Sequence, residues 1–260
     1  VNGIAPPVFV DADNTLWDTD AVFARAQFQL LAEVESAVGI NSGAHDRLAF
    51  IRALDQQLAE HHHQGLRYPP RLLARAAALA LSGFSASRAA RSAWLGELKS
   101  PFGEEVAASV EQSFLAAIAE PPDLRPGVLE GLDRLLEGGS EVLIVTESAE
   151  ARAAATADRL GLRGHFTRII EGKKRPDLYR RVLRLTRRQG LAFMVGDQLD
   201  RDIAPAKEAG LMTIYFAGGF QPKWMPDEAK VRPDFKIESF AEVPEIVADC
   251  RAKDRQRQAV

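Results

Sequence analysis

The chain has 260 residues, 46% of them hydrophobic and 27% charged, with a formal net charge of −3 at pH 7. That is an ordinary globular composition, enough for one large or two modest domains. The small net charge gives no reason to expect nucleic acid or an anionic membrane as partner, and no apolar run approaches the roughly 18 residues of a membrane span. The single cysteine, Cys250, excludes an intrachain disulfide and fits a reducing cytoplasm, the expected location. The opening "VNGIAPPVFV" has no basic flank and no long apolar stretch, so no signal peptide is expected.

Val8 to Asp11 reads as a short strand that runs directly into charge, "VFVDADNT". Residues 19–120 then read as wholly helical. Val22, Ala26, Leu30, Val34 and Val38 recur every four residues, as do Val106, Val110, Phe114 and Ile118. Prolines in "RYPPR" (67–71) and "KSPFGEE" (99–105) suit helix starts, and "EPPDLRPG" (120–127) reads as a linker.

Beyond Val128 the pattern alternates. Helix "GVLEGLDRLLEGG" leads to strand "EVLIVT", and helix "AEARAAATADRLGL" to "HFTRII". Helix "DLYRRVLRLTRRQG" leads to "LAFMVGD", and helix "IAPAKEAG" to "LMTIYFAGG". Uninterrupted apolar strands between amphipathic helices predict a parallel sheet covered on both faces. The first strand must join that sheet, because four residues ending in charge form no domain alone. The predicted architecture is an α/β, doubly wound parallel sheet with an inserted all-helical domain. The core would comprise 1–18 and 121–260, and the helical insertion 19–120. The tail "RAKDRQRQAV" reads as polar and frayed.

In such sheets sites form at the carboxyl ends of the strands. There the sequence puts Asp11 and Asp13, then Thr146, then Lys173 and Lys174, then Asp197, Asp200 and Asp202. Each of these alone is an ordinary strand end; their joint order carries the inference. Residues two apart on an extended strand share a face, so Asp11 and Asp13 can face one site. With Asp197 they form an acidic pocket suited to Mg2+, which takes one or two carboxylates together with water and a substrate phosphate oxygen. A carboxylate can attack phosphorus, and a second can carry the proton. An ammonium and a hydroxyl can hold the remaining phosphoryl oxygens.

This set resembles the haloacid dehalogenase superfamily of phosphohydrolases. "DADNT" (11–15), Thr146 in "LIVTES", Lys173 in "EGKKRPD" and "GDQLDRD" (196–202) match its four motifs in order. "DLRPGVLEGLDRLL" and "IAPAKEAGLMTIY" look like typical family segments too, and the helical insertion resembles the family's cap. The resemblance implies Asp11 as nucleophile and metal ligand, and Asp13 as general acid/base that binds metal through its backbone carbonyl. Thr146 and Lys173 would hold the phosphoryl group. Asp197 would ligate the metal, and Asp202 would ligate through water or orient the ligands. The implied substrate is a small phosphorylated metabolite. An Asp at position 13, where true dehalogenases carry an aromatic residue, favours phosphoryl chemistry.

Three departures stand out. Glu147 follows Thr146 where the family often has Asn or a small residue, and is expected to point away from phosphate. Lys174 occupies the place of the third motif's first proline, so a one-residue slip would substitute it for Lys173. Asn14 replaces a glycine, and Asn also accepts unusual backbone angles.

Phosphomutase, phosphonate hydrolysis and dehalogenation share most of these motifs. Phosphonate hydrolases need a further cap lysine, and none occurs between Asp20 and Leu98. A non-catalytic binding protein or a phosphoacceptor resembling receiver domains is a further alternative. Against the receiver stand the helical insertion and the late Gly-Asp motif. His61-His62-His63 and the basic run of Arg180, Arg181, Arg184, Arg187 and Arg188 read as solvated surface. "QGLRYPPR", with Arg67 and Tyr68, reads as a helix-to-helix connection that would reach substrate only if it overhangs the core.

Overall fold

In the computed structural model, which describes residues 5–60, 68–186 and 190–258, the first strand β1 (Val8–Val10) is wholly buried. It is followed by α1 (Thr19–Val38), α2 (Arg47–Glu60), α3 (Pro70–Leu81), α4 (Ala86–Leu95) and α5 (Glu104–Ala117). Then come α6 (Val128–Glu137), β2 (Val142–Thr146), α7 (Glu150–Arg159), β3 (Arg168–Glu171) and α8 (Pro176–Leu185). The chain continues through β4 (Phe193–Gly196), α9 (Ala204–Glu208), β5 (Met212–Tyr215), α10 (Glu228–Val231), β6 (Phe235–Lys236) and α11 (Val243–Gln258). His61, His62, His63, Arg67, Arg187 and Arg188 lie outside the described residues.

Val1–Asp20 and Pro121–Val260 form one packed unit and Ala21–Glu120 another. In the first unit the strands make a six-stranded sheet in the order β3-β2-β1-β4-β5-β6, every neighbouring pair parallel. Val10 pairs with Ile144 on one side and Val195 on the other. Because successive strand residues face opposite ways, β1 feeds two cores. Val8 and Val10 pack with Leu132 and Leu135 of α6, Ala157 of α7 and Val243 of α11. Phe9 packs on the opposite face with Tyr179 and Val182 of α8 and Ala206 of α9. Helices on both faces explain why these strands are continuously apolar, as a doubly wound sheet requires.

The closing part of the chain is more regular than its composition suggests. β6 and α11 extend the sheet and its helical layer, and residues 251–258, expected to fray, continue α11. Val243 and Val247 anchor that helix in the core, with Ile246 and Cys250 half-buried beside them. Gly127, at φ 73, starts α6; a Cβ there would lie 2.2 Å from Ser239 Oγ, so only glycine lets this turn pack under the start of α11's layer.

The described residues of the second unit form helices and their connections, with no strand among them. Pro70 opens α3, where its missing N–H has no intrahelical partner to lose. Ala74, Ala76, Ala77 and Ala78 of α3 and Ala89, Ala90 and Ala93 of α4 are buried in one core with Leu30, Val34, Leu54 and Phe114. Tyr68 donates its hydroxyl hydrogen bond to Asp55, whose other oxygen accepts from Gln27 at 3.0 Å. Among the described residues, no helix is long and apolar enough to cross a membrane.

Candidate active site

The strand order reverses between β1 and β4, so the loops leaving these two strands diverge and open a crevice at their carboxyl ends. Asp11 leaves β1 at that point, its N–H bonded to the Val195 carbonyl at 2.9 Å. Asp197 leaves β4 directly opposite, 3% exposed. Next comes a five-residue π-helical turn, Leu199–Ile203, that folds Asp202 back over the strand end. Asp202 is fully buried, and its Oδ2 accepts the Gln198 N–H at 2.9 Å. Glycine at 196 makes this possible, because a Cβ there would lie 2.3 Å from the Cβ of Asp202. The carboxylates of Asp11, Asp197 and Asp202 each offer an oxygen within 4.8 Å of the others.

Lys174 reaches these carboxylates from the loop after β3. Its Nζ donates to Asp11 Oδ1 and to Asp202 Oδ1, the latter at 2.5 Å, and only 5% of its side chain is exposed. Lys173, the lysine expected from the motif alignment, is exposed. The correction is one of register: the next residue along the loop, Lys174, is the lysine buried in the site. Burial alone would lower the pKa of Lys174, but Asp11 and Asp202 hold its ammonium well above the ordinary range.

Burial pushes the Asp11 carboxyl up to about 7, with Asp202 adding to the rise and Lys174 opposing it. Burial, Asp11 and Asp202 likewise push Asp197 well above the ordinary carboxylate range. Asp13 behaves differently. Burial raises its pKa, but hydrogen bonds from Ser148 Oγ (2.6 Å), Thr19 Oγ1 (2.8 Å) and Trp17 Nε1 (3.0 Å), helped by the charge of Arg152, bring it below the ordinary value. Two neighbouring carboxylates therefore have distinct environments.

Thr146 ends β2, 1% exposed, and its Oγ1 accepts the Ser148 N–H at 3.0 Å. Glu147 is held by two partners: Oε1 accepts the Lys174 N–H at 3.0 Å and Oε2 pairs with Arg201 at 3.2 Å. Asn14 adopts φ 61, the left-handed geometry that a glycine supplies more easily.

Several residues to which the motifs assigned no role support the site. Thr15 is fully buried and donates to Asp11 Oδ2 at 3.3 Å. Arg125 donates to the Asn14 carbonyl (2.6 Å) and the Ala217 carbonyl (2.9 Å) while stacked 4.0 Å over Phe216. Next to Ala217, Gly218 gives Asp197 room, since a Cβ there would stand 2.8 Å from Asp197 Oδ2. The signal for Arg125 was its place in the "LRPG" turn, but nothing local says which carbonyls it reaches.

The residues fit a divalent cation. Three buried carboxylates face one ammonium, that of Lys174. Asp197 Oδ1 is buried with no hydrogen-bond partner among the described residues. A buried, unpartnered carboxylate oxygen is costly unless a cation meets it, and an all-oxygen donor set suits a hard ion such as Mg2+.

Comparison with known proteins agrees with this geometry. Residues 8–210 match the family model described as haloacid dehalogenase-like hydrolase. The chain belongs to the haloacid dehalogenase-like hydrolase family. It is 29% identical over 144 residues to a phosphoglycolate phosphatase of Chromobacterium violaceum, covering 52% of this chain and 62% of that protein. It is 32% identical over 117 residues to a ribulose-1,5-bisphosphate 5-phosphatase of Halopiger xanaduensis, covering 42% and 49%. The matches thus span about half to three-fifths of these relatives' length. Among solved structures, a haloacid dehalogenase-like hydrolase from Xanthomonas campestris superposes with a TM-score of 0.63 at 18% identity, covering 99% of this chain and 97% of that one. A magnesium-bound hydrolase of the same fold from Bacillus subtilis gives 0.61 at 19% identity, covering 95% and 100%.

Proposed function

We propose that this chain is a magnesium-dependent phosphatase that cleaves small phosphate monoesters through an aspartyl-phosphate on Asp11. The observation that carries the reading is the convergence of Asp11, Asp197 and Asp202 around Lys174, with an unpartnered Asp197 oxygen in their midst. Asp11, Asp197 and the backbone carbonyl of Asp13 would hold the cation, with Asp202 as a water-mediated or orienting partner. When bound, the cation supplies positive charge against the incoming phosphate dianion.

The chain's own residues then divide the work. Asp11 attacks phosphorus, the bond from phosphorus to the ester oxygen breaks, and the leaving oxygen receives a proton that Asp13 has first taken up from solvent. In the second half Asp13 takes a proton from water as the water oxygen bonds to phosphorus. The bond from phosphorus to Asp11 breaks and the carboxylate returns. Thr15 orients Asp11, while Ser148, Thr19 and Trp17 hold Asp13. Thr146 and Lys174 hold the phosphoryl oxygens, with Lys174 in the role expected for Lys173. Hydrolysis of phosphate monoesters is among the slowest uncatalysed reactions, which is why a preorganised charged site is needed.

The relatives' names supply the candidate substrates: phosphoglycolate, ribulose 1,5-bisphosphate and, for an archaeal relative from Methanopyrus kandleri, glyceraldehyde 3-phosphate. We place the activity on such small phosphorylated metabolites and assign substrate choice to the helical insertion, residues 19–120, as a cap. The proton-carrying carboxylate at Asp13 favours this reading over dehalogenation.

The test is hydrolysis of p-nitrophenyl phosphate and a panel of phosphorylated metabolites with and without Mg2+. Magnesium-dependent release of phosphate, silenced by chelation and restored by added Mg2+, is the expected result. Absence of turnover across the panel in Mg2+ would overturn the assignment.

A further inference from the structure

We infer that Glu147 is a positioning residue that decides which of the two adjacent lysines enters the site. The inference rests on the phosphatase reading for the task of Lys174, but its structural content stands separately. In a parallel ladder, N–H groups two residues apart point to the same neighbouring strand. Gly172 N–H makes the last such bond from the β3 side, to the Thr146 carbonyl at 3.0 Å. The next donor in that register is Lys174 N–H, and its acceptor is a side chain: Glu147 Oε1 at 3.0 Å. Glu147 thus supplies an acceptor one step past the end of β2 and ties the Lys174 backbone to the loop after that strand. With its backbone held there, the Lys174 side chain is buried against Asp11 and Asp202 while the Lys173 side chain is exposed.

The second carboxylate oxygen closes a ring of contacts. Glu147 Oε2 accepts from Arg201, which lies in the same Leu199–Ile203 turn as Asp202. Asp202 in turn accepts from Lys174 Nζ. The loops after β2, β3 and β4 are therefore joined through one glutamate, one lysine and one turn. The position is where the family often carries Asn or a small residue, and the third motif here carries Lys174 where it usually carries proline. A proline at 174 would have no N–H to give, so the two departures belong together: the glutamate has a donor to bind because the proline is missing.

The test compares Glu147→Ala with Glu147→Gln. Glutamine keeps a carbonyl acceptor for the Lys174 N–H and loses only the charge facing Arg201. Two readouts are taken: hydrogen exchange of the Lys174 amide by NMR, and steady-state hydrolysis of p-nitrophenyl phosphate with Mg2+. In Glu147→Ala the amide should exchange about tenfold faster and kcat should fall about tenfold, the scale of one lost hydrogen bond, while KM changes less than about threefold. Glu147→Gln should restore both to within about threefold of the native protein. Unchanged Lys174 exchange in Glu147→Ala overturns the inference, as does faster exchange with unaltered kcat, or equal losses in the two variants. If the native protein hydrolyses no phosphate ester, the phosphatase reading fails, and the exchange comparison alone decides whether Glu147 holds Lys174.

Discussion

Lys174 Nζ bridges the carboxylates of Asp11 and Asp202, residues 163 and 28 positions away in sequence. One ammonium thereby ties the ends of the first and fourth strands to the loop after the third. Lys173 makes no such contribution, because its side chain is exposed. Lys174→Ala should lower kcat/KM by about a hundred- to a thousandfold, the range for losing one preorganised charged donor, and Lys173→Ala should stay within about twofold. Parallel kinetics on the two variants check this; equal effects would mean that the register is wrong.

The buried Asp197 carboxylate predicts opposite effects on stability and on cation binding. Without a cation, Asp197 sits beside Asp11 and Asp202 with one oxygen unpartnered. Asp197→Asn removes that charge, so the metal-free variant should melt at a higher temperature than the metal-free native protein. The native protein should gain about 2.7 kcal/mol at a Mg2+ concentration of about a hundred times Kd, and the variant should gain far less. Thermal denaturation with and without Mg2+ separates the two effects.

Gly196 makes a purely steric prediction. A methyl group there would overlap Asp202 at 2.3 Å, and Asp202 is packed with no exposure. Gly196→Ala should destabilise the fold by about 1–3 kcal/mol, as overpacking typically does, and should displace Asp202 from Lys174. Gly164→Ala is the control: nothing lies within 4 Å of the position its Cβ would take, and the change should stay within about 0.5 kcal/mol. Urea denaturation of both variants is the measurement.

Asp234 gives a pH prediction away from the site. Burial raises its pKa, but hydrogen bonds from Lys207 and from the side chain and backbone of Thr213 bring it below 3.8. A depressed carboxylate contributes stability that is present above its unfolded pKa and is lost as pH falls through its folded pKa. Asp234→Asn should therefore cost about 1 kcal/mol near pH 7, a modest value because the Lys207 partner is exposed to solvent. That cost should shrink as pH falls below 3.8. Denaturant titrations of both proteins across this range check the sign.

Much of this architecture is legible in the sequence. The apolar runs of β1, β2 and β4 end in Asp11, Thr146 and Asp197 because a doubly wound sheet buries both strand faces and delivers polar side chains only at the rim. Asp202 was legible from its spacing to Gly196. The choice between Lys173 and Lys174 was not, since both lie in a loop where neither strand nor helix periodicity applies and the deciding contact comes from Glu147, far away in sequence. The supports of Asp13 were hidden for a related reason: Ser148 and Trp17 approach it through turns whose geometry depends on tertiary contacts. The final helix is legible in its first half only. Val243, Ile246, Val247 and Cys250 carry helical spacing, but the polar residues after them resemble a frayed end.

The central claim is a covalent phosphoryl group on Asp11, and the direct measurement is to trap it. The protein is quenched in acid during turnover of a phosphate monoester with Mg2+, reduced with borohydride, digested and read by mass spectrometry. Reduction of an acyl phosphate converts the aspartate to homoserine, so homoserine at position 11, absent in Asp11→Asn and in chelator-treated protein, is the predicted result. Sustained turnover with an unmodified Asp11, or with the label on another residue, would contradict the account.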